Sequence, residues 1–165
     1  MMKSQFCITL LIALNMVFFN EELTAQRINF PPSIISASST QAGDFGAENA
    51  VDDDINSYWG SASGTTHSLI IDFGGDYMVD RMKLKYINYG FSCTVLVSSN
   101  ATFSVGSTIT LLYCPSNGYT DVSEDVMLNS PAFRYVKILF NSSNTGTVGV
   151  HNLEFYGMWS SCRPE

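Results

Sequence analysis

Basic residues are scarce in this chain. Lys and Arg number 8 against 15 Asp and Glu, for a net charge of −7. A nucleic-acid binder needs a basic footprint to displace counterions, so that class is excluded. Simple electrostatic attachment to anionic lipid is excluded for the same reason. Charged residues of both signs make up only 14%, too few for a disordered acidic tail, whereas hydrophobic residues at 45% supply a core. Histidine occurs twice, as His67 and His151. The sequence has no CxxC, HExxH, nucleophile elbow or P-loop, and no motif places two carboxylates for glycosidic chemistry. The expectation is that the protein is not an enzyme. A length of 165 residues suits one domain.

Long apolar runs are also missing. The most apolar stretch, residues 7–19, reads CITLLIALNMVFF, well short of the roughly 20 residues that span a bilayer. Lys3 precedes it and Glu21 and Glu22 follow. That order is the order of a secretory signal, so residues 1–25 are expected to be removed and the protein to be extracellular. Losing Lys3, Glu21 and Glu22 leaves 7 cations and 13 acids, a net charge of −6.

Secretion changes how cysteine is read, because thiols pair in an oxidising compartment. Cys7 leaves with the signal, and Cys93, Cys114 and Cys162 remain. Three single pairings are open. The expectation is Cys93 with Cys114, each at the end of a strand, with Cys162 in the polar tail 158–165 free or joined to another chain. No two of the three have zinc-ligand spacing. Asn100-Ala-Thr and Asn141-Ser-Ser are glycosylation sequons.

The remainder, 26–157, is short of sustained helical periodicity. Apolar or alternating runs at 33–38, 68–73, 79–87, 94–99, 108–113, 133–140 and 149–156 are bounded by Gly, Asn, Ser and Asp, which predicts strands. Arg81, Lys83 and Lys85 alternate with Met82, Leu84 and Tyr86, so the cations share a solvated outer face. Many short strands with loop-rich spacing predict an all-β, antiparallel β-sandwich.

Several motifs carry a family resemblance. Ser36-Ala37-Ser38-Ser39, then Ala50-Val51-Asp52-Asp53-Asp54 and Ser57-Tyr58-Trp59, resemble the opening of the discoidin family, also called the coagulation factor V/VIII C-type domain. Leu69-Ile70-Ile71-Asp72-Phe73-Gly74 resembles its apolar strand. Arg134-Tyr135-Val136 and Leu153-Glu154-Phe155-Tyr156-Gly157 resemble its last core strands. Family 32 carbohydrate-binding modules and fucose-binding lectins share the fold. The resemblance implies a jelly-roll sandwich that binds ligands through loops at one end, with Trp59 in its core.

The loop 60–67 (GSASGTTH) offers hydroxyls and backbone amides, and His67 is expected to donate to a sugar hydroxyl. Tyr89 and Phe91 in the loop 88–91, and Phe45 in Gly43-Asp44-Phe45-Gly46, are expected to stack on apolar sugar faces. Downstream of Asn88 no Arg occurs before Arg134, unlike the pattern of the fucose-binding subgroup.

Asp52, Asp53 and Asp54 crowd three carboxylates into one turn, and like charges so close repel unless solvent or a cation intervenes. An EF-hand is excluded, because Ser57 and Ser63 stand where its Gly and bidentate Glu belong. The resemblance instead implies structural Ca²⁺ held by the Asp52 carboxylate, carbonyls of Ala50 and Asp54, and Ser57. Asn152 stands where the family places a charged Glu, and Asp53 where it places Gly. The expected function is lectin-like recognition of cell-surface or matrix glycans. The alternative is an adhesion or matrix protein that binds a protein partner, cross-linked through Cys162.

Overall fold

The structure, a computed structural model, describes residues 25–29, 34–89, 91–104, 108–114, 119–127 and 131–159. The expected signal up to residue 24 and Cys162 lie outside the described residues. Among the described residues nine strands pair, all antiparallel: β1 (Gln26–Arg27), β2 (Ile35–Ala37), β3 (Trp59–Gly60), β4 (Gly64–Tyr89), β5 (Ser92–Ser98), β6 (Thr108–Cys114), β7 (Tyr119–Met127), β8 (Phe133–Gly146) and β9 (Gly149–Trp159). The expected all-β sandwich is what the chain forms. A 3-10 turn covers Ala47–Ala50.

β4 determines the architecture. The runs 68–73 and 79–87, expected as separate strands, are two halves of this one 26-residue strand. Its first half pairs with β2 and β8, and β8 continues through β5 to β6. Its second half pairs with β7 and β9, and β9 carries β1 and β3. The strand bends between Asp72 and Tyr77, where the register to β8 shifts and Gly74 has φ +77. A bend of this kind lets one strand serve two packed layers.

The alternation of β4 explains the core. His67, Leu69, Ile71 and Phe73 face inward from its first half, and Met82, Leu84 and Tyr86 from its second. The layers meet through Tyr86 on Phe140 of β8, at 5.7 Å between ring centroids, and Phe73 on Phe155 of β9, at 5.2 Å. Trp59 is fully buried and donates its indole N–H to the Ser39 carbonyl at 3.1 Å. Arg81, Lys83 and Lys85 lie on the outer face as expected, with the Arg81 guanidinium 4.2 Å from the Tyr156 ring centroid.

Asp72 secures the bend. Its carboxylate accepts two bonds from the Arg134 guanidinium, at 2.7 and 2.9 Å, and one from the Gly74 N–H at 2.8 Å. The Arg134 bond holds the Asp72 carboxyl below the usual carboxylate range; desolvation opposes the shift and the Gly74 N–H adds to it. β9 runs to Trp159, two residues beyond the expected limit of the domain. There Gly157 lies so close to β4 that a Cβ would fall on the Met78 carbonyl oxygen and 2.9 Å from the Val79 Cα.

β5 and β6 are antiparallel neighbours with Cys93 directly opposite Cys114. We propose a disulfide between them. Non-reducing peptide mapping is expected to recover a Cys93–Cys114 peptide, and Cys93→Ser with Cys114→Ser to cost about 3 kcal/mol. Recovery of Cys162 joined to either residue would refute the pairing. Gly157→Ala is expected to cost about 3 kcal/mol, because the clash is with backbone and no rotamer relieves it. Urea unfolding measures that loss, and an unchanged midpoint would show that β9 tolerates the side chain.

Candidate functional site

Four segments converge at one end of the sandwich. Gln41 N–H donates to the Gly60 carbonyl at 2.7 Å, and Gly60 N–H to the Phe45 carbonyl at 3.2 Å. Ser61 N–H donates to the Val148 carbonyl at 2.9 Å, and the Val148 N–H returns a bond to the Ser61 hydroxyl at 2.8 Å. The register Gly64 to Gly146 and Ile87 to Gly149 brings in the start and the end of β4. The expected ligand loops are therefore neighbours in space, although they are far apart in sequence.

Their side chains are not all placed as expected. His67 and Phe91 are 2% and 1% exposed, and their rings lie 5.3 Å apart. His67 bonds through Nε2 to the Gly146 carbonyl at 3.2 Å, and its Nδ1 lies 3.5 Å from the Ser39 hydroxyl. Both residues support the loops from beneath, which corrects their expected contact with ligand. The strand begins earlier than expected, at Gly64, so His67 falls on its inward face. The Tyr89 side chain lies outside the described residues. Phe45 is half-buried, and at 4.9 Å it meets Tyr58, which meets His151 at 5.3 Å. The three rings form a half-exposed row at the loop end, and Ser63, Thr65 and Thr66 of the loop 60–67 are exposed.

Tyr58 and His151 were not anticipated as site residues. For Tyr58 a signal existed: its neighbour Trp59 is core, and side chains alternate along a strand. For His151 none did. It is the extra residue of a bulge, since Lys85 opposes Asn152 and Tyr86 opposes Val150. The Asn49 amide ties the row together by donating to the Asp44 and Tyr58 carbonyls at 2.7 and 3.2 Å.

The acidic turn abuts this row, because His151 Nδ1 donates to the Ser57 carbonyl at 3.1 Å. Its three carboxylates have separate roles. Asp52 accepts from the Asp54 N–H at 2.9 Å and from the Ser57 hydroxyl at 2.7 Å. Asp54 accepts from the Asn56 backbone and side-chain N–H groups, both at 2.9 Å. Asp53 pairs with Arg27 and has φ +65, a left-handed conformation that costs a non-glycine residue about 1 kcal/mol.

The Ser57 hydroxyl faces three acceptors with its one proton: Asp52 Oδ2, the Asp54 carbonyl at 3.0 Å and the Asn49 carbonyl at 3.5 Å. Four oxygens so gathered, one of them charged, suit a hard cation. Asp52, Ser57 and the Asp54 carbonyl belong to the expected set; the Asn49 carbonyl, which was not expected, also approaches Ser57, and the expected Ala50 is buried. Among the described residues no three His, Cys, Asp or Glu side chains converge, so the donor set is mainly hydroxyl and carbonyl oxygen. Asn152, which the family resemblance places at this site, has one unpaired oxygen. Its Nδ2 donates to Glu154 at 2.9 Å, while its Oδ1 is buried without a hydrogen-bond partner. The residues present fit Ca²⁺.

The sequons differ. Asn100 is exposed in a turn after β5, and Asn141 is half-buried on β8, where its Oδ1 accepts from Thr66 at 3.1 Å.

A family model described as the F5/8 type C domain matches residues 34–155. No curated protein matches the sequence. Solved structures do. Chitosan-binding module 1 of a chitosanase/glucanase from Paenibacillus sp. IK-5 superposes with a TM-score of 0.63 at 22% identity, over 74% of this chain and 93% of that one. A Clostridium perfringens module, CpGH89CBM32-5, in complex with GalNAc-β-1,3-galactose gives 0.61 at 15% identity, over 77% and 98%. A fucolectin from striped bass (Morone saxatilis) serum gives 0.65 at 14% identity, over 80% and 49%.

Proposed function

The chain belongs to the F5/8 type C domain family, and on that premise we propose that it is a secreted, non-catalytic module that binds glycans at the loop end. The observation that carries this reading is the half-exposed row Phe45, Tyr58 and His151 at the loop end, where the loop 60–67 also exposes Ser63, Thr65 and Thr66. Aromatic rings take the apolar C–H face of a sugar, and hydroxyls and backbone amides take its edge. The glycan-binding neighbours support the reading. No helix of the described residues is long and apolar enough to cross a membrane. The first 25 residues serve as the export signal, and Asn100 is the better placed of the two sequons for a glycan.

Ca²⁺ is proposed as a structural ion at the acidic turn, held by Asp52, the Ser57 hydroxyl and the carbonyls of Asn49 and Asp54, with Asn152 Oδ1 as a further donor. Bound there, it supplies positive charge that relieves the repulsion among carboxylates. Through Ser57 and His151 it also steadies the aromatic row.

The mature protein, collected from the medium of expressing eukaryotic cells, is expected to bind a subset of a glycan array, with free sugar competing. Phe45→Ala and Tyr58→Ala should each weaken binding about tenfold, which is about 1.4 kcal/mol, with the fold retained by circular dichroism. Binding that no sugar competes would move the reading to a protein partner, and retention in the cell would remove secretion from it.

Ca²⁺ at about 100 times its dissociation constant is expected to add roughly 2.7 kcal/mol, a rise of several degrees in melting temperature. Asp52→Ala should abolish the rise, Asp53→Ala should retain it, and Asn152→Glu should enlarge it by adding charge. Identical melting in Ca²⁺ and in chelator would leave the turn as acidic surface.

A further inference from the structure

A cavity of about 250 Å³ opens on the flank of the sandwich, between β1 and the acidic turn. It is lined by Arg27, Ile28, Asn29, Val51, Asp53 and Leu153. Its apolar residues belong to or border the core: Leu153 is 2% and Ile28 9% exposed, and Val51 packs against them as a partly buried neighbour. Its polar groups are accessible, with the Arg27 and Asp53 side chains 36% and 56% exposed and Asn29 exposed.

These groups retain hydrogen-bonding capacity. Arg27 bonds to Asp53 through one nitrogen, so most of its five donors are uncommitted to Asp53. Asp53 is engaged through Oδ1, and among the described residues no hydrogen bond to its Oδ2 is found. Asn29 adds an amide that both donates and accepts. Asp53 takes its place at the rim in a left-handed backbone conformation.

We propose that this cavity is a second saccharide site, separate from the loop end and accepting a single neutral sugar ring. A cation and a carboxylate side by side suit a pair of vicinal hydroxyls, which accept from the guanidinium and donate to the carboxylate. The carboxylate at the rim repels an anion, so a phosphate or uronate is disfavoured. The apolar floor takes the C–H face of the ring. The volume is below the roughly 300–1,000 Å³ of pockets for drug-sized ligands, which selects one ring over a chain. β1 and Asp53 thus do more than close an edge of the sheet: they give the module a second point of contact on a branched or clustered glycan.

The proposal shares with the previous section the premise that the protein binds sugars, and the experiment separates the two. The methyl glycosides of galactose, N-acetylglucosamine and fucose are titrated into the ¹⁵N-labelled mature protein. At least one is expected to shift the amides of Arg27, Asn29, Val51 and Asp53 in a saturable manner. Asp53→Gly removes the carboxylate and suits the left-handed backbone, so the fold should persist. Asp53→Gly and Arg27→Ala should each weaken binding at these amides at least fivefold, and leave shifts at Ser63 and Thr65 unchanged. Shifts at the loop end with none at the flank would overturn the second site and keep the first. Flank shifts that survive both substitutions would overturn the role of the Arg27–Asp53 pair, and silence at both ends would overturn both sites.

Discussion

The inward row of β4 is the constraint on which the two layers depend. One strand carries Leu69, Ile71 and Phe73 into one side of the core and Met82, Leu84 and Tyr86 into the other. Because its side chains alternate, a slip of one residue would turn six apolar groups outward at once. The bend between the halves must therefore be positioned, and the Asp72 carboxylate does this by holding Gly74 on one side and Arg134 of β8 on the other. The pair is solvent-accessible, so its net contribution is small. Its geometric role is larger, since it ties the corner of one strand to its neighbour β8 in the sheet.

Closure of the sandwich decides which residues can meet a ligand. β4 starts at Gly64, so alternation turns His67 inward, and Phe91 covers it from the start of β5. Such a histidine is valuable as a polar support, because it satisfies the Gly146 carbonyl where water does not reach. The ring row that faces outward comes instead from Phe45, from Tyr58 beside the core Trp59, and from His151 on its bulge. Framework and contact surface are thus adjacent layers of one loop cluster.

The acidic turn shows how three like residues acquire different tasks. Backbone direction sends Asp52 toward Ser57, Asp54 toward Asn56 and Asp53 toward Arg27. Repulsion among them falls because each carboxylate has its own donor. The arrangement leaves oxygen in excess of protons around Ser57 and places a charged pair over an apolar cavity on the flank. The two features use neighbouring side chains of the same short segment.

Strand content and the apolar rows were determined by sequence, because period-two alternation and β-branched or aromatic residues have few other ways to bury their surface; the burial of Trp59 was implied by the family resemblance. The opposition of Cys93 and Cys114 across two strands was legible as well, from their positions at strand ends. The strand β7 was not, because its acidic run YTDVSEDVM lacks the apolar alternation that marks the others. β1 and β3 are two residues each and carry no local signal at all. The fusion of 68–73 and 79–87 into one strand also escaped, since the Asp-Phe-Gly-Gly-Asp stretch reads as a turn and is in fact a bend. The clustering of oxygens in the turn 52–57 was legible because they are local in sequence. Tertiary structure alone decided the choice of the Asn49 carbonyl, the inward turn of His67 and Phe91, the row through His151 and the Arg27–Asp53 cavity. Each depends on the register between residues distant in the chain, and register is set by the packing of the whole core.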